Sequence, residues 1–211
     1  MLAMPDLQEK QRILDVATDK FMAQGLSKVT LDEVAGDLGM SKKTVYKFFP
    51  SKDDLLRATV HMIMGRMKNR IEEIVSSNKP SEEKLTEFLV MLGSFLRKAS
   101  SNFIVDVQRF APNLWKEMEK FRREQMLPRV NEMFLQAKEE GVFRRDINIE
   151  LFYLVFVTVV QGIINPRVLS ENSFSAQEAF RGVFKLLFEG ALTEEAKTKL
   201  HLFEPTNFEQ S

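Results

Sequence analysis

Apolar residues recur at three- and four-residue steps along most of the 211-residue chain, glycine and proline are scarce, and no valine- or threonine-rich stretch alternates with period two. That pattern predicts an all-α fold of about nine helices. The first helix is expected from about Leu7 to Gln24, with Ile13, Ala17 and Phe21 on one face and Gly25 ending it through a left-handed cap. Thr30 and Glu33 have capping-box spacing, so a short second helix opens at Leu31 and carries Leu31, Val34, Ala35 and Leu38 at i, i+3, i+4 and i+7 before Gly39. After the turn Gly39-Met40-Ser41, Ser41 caps a third helix that points Val45 and Phe49 inward and stops before Pro50. Ser51 and Asp54 then open a long fourth helix through Leu55, Leu56, Met62, Ile63 and Met67.

Beyond the polar loop "SSNKPS" at 76–81, the stripe Leu85, Phe88, Leu89, Leu92, Leu96 predicts a helix from about Glu82 to Lys98. A shorter helix follows from about Asn102 to Phe110. From Asn113 to Glu140 the stripe Trp115, Met118, Phe121, Val130, Phe134 continues, with Pro128 expected to kink or split it and Gly141 to close it. Two further helices are expected, at about Ile149 to Leu169 and Ser175 to Leu192. The first is apolar nearly all round, so it must be covered on two sides. The tail "FEPTNFEQS" reads as frayed.

Charge changes this picture at one place. The chain balances 30 basic against 30 acidic residues, yet "LGMSKKTVYKFFPSK", Leu38 to Lys52, holds four lysines and no carboxylate. An unopposed positive run among aromatics suits a polyanion; a solvated helix face is the alternative. With no cysteine, disulfides, thiolate metal sites and cysteine nucleophiles are excluded, and a reducing cytoplasm is the expected location. The N-terminal "MLAMPDLQEKQR" does not read as a signal peptide, and the apolar run Leu151 to Val160 falls short of the ~20 residues of a spanning helix. No nucleophile elbow, phosphate loop, dinucleotide fingerprint or zinc motif is present, so an enzyme is not supported and neither metal nor cofactor is expected. His61 and His201 are far apart in sequence and read as ordinary helix residues.

Two short helices joined by a three-residue turn, the second with lysines outward, form a helix-turn-helix. The third helix would enter a DNA major groove with Lys42, Lys43 and Thr44 on its first turn, where free N–H groups and the helix dipole favour phosphate. From Ile13 to Leu56 the chain resembles the DNA-binding segment of the tetracycline-repressor (TetR) family of bacterial transcription regulators. The matching residues are Ile13, Ala17, Phe21 and Gly25; then Thr30, Val34-Ala35 and Gly39; then Ser41, Thr44, Val45, Tyr46, Phe49, Ser51 and Lys52. Lys43, where glycine is frequent, and Phe48, where histidine or tyrosine is frequent, depart from the pattern.

The resemblance implies a helix-turn-helix domain over 1–52 and a helical effector-binding and dimerisation domain over 53–211. It implies phosphate contacts from Thr30, Tyr46 and Lys52, groove contacts from Lys42, Lys43, Thr44 and Lys47, and the helix-capping Ser41 beside them. Tyr46 could instead be a core aromatic, and the cap alone would explain Thr30. With few arginines in the segment, part of the specificity is expected from DNA shape. The partners expected are double-stranded DNA with a palindromic operator, an apolar small-molecule effector and a second copy of the chain, with no membrane.

Two half-sites about one turn apart, ~34–36 Å, call for a symmetric dimer. Tyr153, Val157, Val160, Phe180, Gly182, Phe184 and Phe188 are the candidates for its interface, unless that apolar surface lies inside one subunit. Met62, Met67, Phe88, Met91, Phe95, Phe103, Phe110, Trp115 and Phe121 are candidates for an adaptable apolar pocket, or plain core. The resulting expectation is a repressor released from its operator by the effector. Alternatives are a helical carrier or enzyme with an incidental basic helix, and a DNA-binding activator or nucleoid-associated protein.

Overall fold

Local caps fix where the first helices begin and end. In the computed structural model, which describes residues 4–99 and 101–200, α1 (Met4–Gln24) closes at Gly25, whose φ of 81° lies in the left-handed region. The tail 203–211 and His201 lie outside the described residues. α2 (Leu31–Leu38) starts on the capping box: the Glu33 N–H donates to Thr30 Oγ1 at 3.2 Å and the Thr30 N–H donates to Glu33 Oε2 at 2.8 Å. It ends at Gly39, φ 63°, with the Met40 N–H reaching back to the Ala35 carbonyl at 2.9 Å. The Thr44 N–H donates to Ser41 Oγ at 3.1 Å to open α3 (Lys42–Phe48), and the Asp54 N–H donates to Ser51 Oγ at 3.1 Å to open α4 (Lys52–Val75). Ile13, Ala17, Phe21, Val34, Val45 and Leu55 are fully buried, so the short helices are held by a shared core rather than by propensity.

α4 runs unbroken from the head into the body, and its far end is tied down there. The buried Lys84 donates to the Val75 carbonyl at 3.0 Å and to Gln136 Oε1 at 3.2 Å. The remaining helices are α5 (Ser81–Lys98), α6 (Ser101–Phe110), α7 (Pro112–Phe121), α8 (Leu127–Glu139), α9 (Ile149–Ile163), α10 (Pro166–Glu171), α11 (Ala176–Ala191) and α12 (Glu194–Leu200). Among the described residues the fold is all-α, with one isolated antiparallel bridge between Phe143 and Leu192.

Three differences raise the number of α-helices from the expected nine to twelve among the described residues. Pro128 does not split its segment by itself; a π turn at Arg122–Met126 joins α7 to α8, with the Leu127 N–H donating to the Arg122 carbonyl. The wider turn shifts the hydrogen-bond ladder just before a residue that lacks a donor and would crowd the carbonyl four residues back. The helix expected to reach Leu169 breaks at Asn165, which precedes Pro166, adopts extended backbone and caps α10 through the Val168 N–H at 3.1 Å. α12 was not expected from the pattern, because its apolar face is short: Ala196 and Leu200 are its buried residues.

Interlocking rings fill the centre of the body. Phe134 of α8 lies 5.7 Å from Phe156 and 6.0 Å from Phe188, and Phe184 and Phe188 stand 4.3 Å apart. Phe180, Phe184 and Phe188 are thus interior to this chain, with Phe184 only 1% exposed. That corrects their expected place at a subunit contact: the broad apolar stripe of α11 is covered by α5 and α9 of its own chain. α9, apolar nearly all round in sequence, is covered on one side, burying Ile149 and Phe156 and leaving Leu151 59% and Leu154 60% exposed.

Candidate nucleic-acid interface and its linked cavity

The exposed lysines of α3 and its neighbours are less free than the sequence suggests. Lys42 forms an ion pair with Asp32 on α2, and Lys47 pairs with Asp6 on α1 at 2.9 Å. The hydrogen bond that Lys42 donates to Asp32 holds its ammonium above the ordinary lysine pKa. Lys47 also lies 5.1 Å from the Phe48 ring centroid. The run without carboxylates is therefore partly opposed in space, by acidic residues that the fold brings from α1 and α2.

Among the described residues, Lys43 is exposed without an ion pair, and Lys52 sits half-buried at the start of α4, also without one. Tyr46 is 46% exposed. Thr44 is half-buried, its Oγ1 2.8 Å from Ser41 Oγ. Thr30 is exposed, and its hydroxyl is 3.1 Å from Glu33 Oε2, so an incoming phosphate would meet a carboxylate beside it. Ser41, Lys42, Lys43, Tyr46 and Lys47 are all exposed on or next to one seven-residue helix, an arrangement that can meet a polyanionic groove.

The body holds a cavity of about 220 Å³, partly open to solvent. Met67, Phe88, Met91, Phe95, Phe103, Trp115 and Phe121 line it. Met62 and Phe110 do not: the Met62 sulfur accepts from the Gln11 amide on α1, and Phe110 is 58% exposed near Arg109. Val157 and Val160, expected at a subunit contact, face this cavity instead. Tyr153 points inward, donating from its hydroxyl to the Leu127 carbonyl at 2.8 Å, and burial pushes its pKa up to about 12. Gly182 is exposed, with open space where a side chain would stand.

Two elements join cavity to head. α4 contributes Ile63, Met64, Met67 and Ile71 to the wall and begins at Lys52. α6 contributes Phe103, Ile104 and Val107, and its Asp106 accepts from the Leu26 N–H at 2.7 Å and the Ser27 N–H at 3.2 Å, in the loop between α1 and α2. Arg57 of α4 donates from Nη1 to both carboxylate oxygens of Glu117 of α7, at 2.6 and 2.8 Å; that hydrogen bonding, with His61, keeps the Glu117 carboxyl below its ordinary pKa.

Neither Asp106 nor Arg122, the charged residue on the cavity wall, stood out in sequence. Arg122 lies in the run "EKFRREQ", which reads as a solvated face. The available signal was its position seven residues after Trp115 and four after Met118, on the apolar stripe.

The sequence pattern described as "Bacterial regulatory proteins, tetR family" matches residues 13–59, from α1 into the first two turns of α4. An uncharacterized HTH-type transcriptional regulator, YvaF of Bacillus subtilis, is 25% identical over 190 residues, covering 88% of this chain and 96% of its own. The nucleoid occlusion factor SlmA of Vibrio vulnificus is 22% identical over 180 residues, covering 78% of this chain and 86% of its own. The solved structure of the ketosteroid transcriptional regulator KstR2 of Mycobacterium tuberculosis superposes with a TM-score of 0.57 at 19% identity, over 88% of this chain and 96% of that one, a likeness of fold. Capped helix-turn-helix head, matched register and shared fold lead to one conclusion: residues 13–59 match the DNA-binding head of the TetR family of transcriptional regulators, on a chain whose fold is similar to that of a solved regulator.

Proposed function

We propose that the chain is a sequence-specific repressor that binds a palindromic operator as a homodimer in the cytoplasm and is released by an apolar small molecule. The observation that carries this reading is the apolar cavity walled by α4 and α6, the two body helices that also hold the head. A ligand that fits only one arrangement of these helices shifts the head by as much as its affinity differs between the two arrangements. KstR2, 19% identical and of the same fold, is a ketosteroid transcriptional regulator, which agrees with an apolar effector here.

In this reading Lys42, Lys43, Thr44 and Lys47 meet the groove, while Thr30, Tyr46 and Lys52 position the backbone. The subunit contact uses the outer faces of α9 and α11, where Leu151, Leu154, Val155 and Leu186 stand in solvent beside the open Gly182. Among the described residues no single helix is long and apolar enough to cross a membrane. The likeness to a nucleoid occlusion factor favours a second reading, in which the same head occupies many chromosomal sites.

Selection of duplexes from a random pool at low salt, followed by footprinting with and without ligands, tests both. A short palindromic footprint lost on adding an apolar ligand supports the repressor, and a set of ligand-indifferent sites supports the second reading. No preference for any duplex overturns both.

A further inference from the structure

One cation is built into a wall that is otherwise nearly all apolar. Among the cavity-lining residues Arg122 is the charged one and Gln161 the other polar one, and Gln161 is exposed to solvent. The Arg122 Nε is buried and has no hydrogen-bond partner. Glu119 stands 4.0 Å from Nη2 in a long ion pair, and the two side chains are 40% and 47% exposed, so the unmet donor is Nε rather than the whole guanidinium. Burial depresses the guanidinium pKa, which marks a charge held where water cannot fully solvate it. A buried N–H without an acceptor is costly unless something else supplies the acceptor.

The backbone carries an independent sign. Arg122 opens the π turn, and the Leu127 N–H donates to its carbonyl across the extra residue. Such turns re-aim side chains and concentrate at functional sites. Pro128 accounts for a shifted ladder here; it does not account for a cation on the cavity wall.

We infer that the cavity takes an acidic amphiphile: an apolar body carrying one carboxylate, with the carboxylate seated on the free Nε edge of Arg122. This rests on the reading that the cavity binds an effector, and it names the chemical class. The guanidinium fork matches both oxygens of a carboxylate, and a ligand anion supplies the acceptor the chain lacks. The body would lie against Met64, Met67, Met91, Met118 and Met126, whose flexible thioethers adapt to shape. Selectivity is then loose for the outline of the apolar part and strict for the headgroup.

Trp115 is the sole tryptophan and lines the cavity, so its fluorescence reports occupancy. The full chain is titrated with two matched pairs below their micelle concentrations: dodecanoate against dodecanol, and naphthylacetate against naphthylethanol. Each acid should bind about tenfold or more tighter than its alcohol, the worth of a charge-assisted hydrogen bond. Arg122→Met should abolish the preference, the loss falling mainly on the acids, and Arg122→Lys should keep part of it.

Ligand-free Arg122→Met should also melt no lower than the parent, because the buried Nε–H without an acceptor is gone and the long, half-exposed pair with Glu119 contributes little. Equal binding of acid and alcohol by the parent, a preference surviving in Arg122→Met, or a clearly lower Tm of that variant overturns the inference while the cavity remains a binding site. If none of the four compounds changes Trp115 emission, the cavity reading fails and this inference with it.

Discussion

Single side chains set how much of the head's charge is available. Lys42 is shared with Asp32, whereas Lys43 is exposed without an ion pair among the described residues. A phosphate must therefore compete with Asp32 for Lys42 and with nothing for Lys43. Asp32→Asn should tighten binding to any duplex and steepen the dependence on salt by about one unit of slope, because one more cation can release a counterion. The same titrations on Lys43→Ala should show weaker binding and a slope shallower by about one, with little change in Tm. If neither variant moves the slope, the exposed face of α3 is not the docking surface.

Tyr153 gives a separate test in the body. With its folded pKa raised to about 12 from the ordinary 10.0, the folded chain keeps a proton that the unfolded chain releases between those values. Stability from this group is complete below pH 10 and is lost as pH rises through that window. Tyr153→Phe should start lower by about 1 kcal/mol, from the lost hydroxyl bond, and decline less steeply over the same range. Urea midpoints at a series of alkaline pH values check it, and parallel declines of parent and variant would assign the effect to other groups.

At the scale of helices, what could be read in advance follows a clear division. The head was legible because its determinants are local: Thr30 with Glu33, Ser41 with Thr44, Gly25 and Gly39 at left-handed turns, each decided within four residues. The body was legible in periodicity but not in partnership. Phe88 and Phe103 face the cavity while Phe180 and Phe188 fill the core, yet all four lie on equally apolar stripes. Which helix covers which stripe is a property of the tertiary fold. Asp106 shows the same limit, since its partners lie about eighty residues away in sequence.

That contact also makes α6 a mechanical link. Asp106→Ala removes the acceptor for two backbone N–H groups in the loop after α1, so the factor by which ligand weakens operator binding should shrink, while ligand affinity itself changes little. Asp106→Asn keeps an acceptor oxygen and should retain most of the coupling. Operator titrations with saturating and zero ligand measure the factor, and an unchanged factor in Asp106→Ala would place the coupling wholly in α4.

For the whole molecule the open question is what lies against the outer faces of α9 and α11. Phe184 and Leu186 are two residues apart on α11, yet the first is 1% exposed and the second 81%. A large apolar side chain left in water forgoes about 1.5–3 kcal/mol that burial would return, and Leu151 and Leu154 on the adjacent α9 add to the same deficit. A second copy related by a two-fold axis removes it for both chains at once and sets two α3 helices at a fixed spacing, as a palindromic site requires. The two substitutions therefore separate. Leu186→Glu, combined with Leu154→Glu, should give a folded monomer in sedimentation whose operator affinity falls steeply while its helical signal is retained. Phe184→Glu should instead unfold the body, because it places a charge among the rings of Phe188 and its neighbours. A dimer persisting in the double leucine variant would move the subunit contact off these faces, and a well-folded Phe184→Glu protein would contradict the packing that puts Phe184 inside.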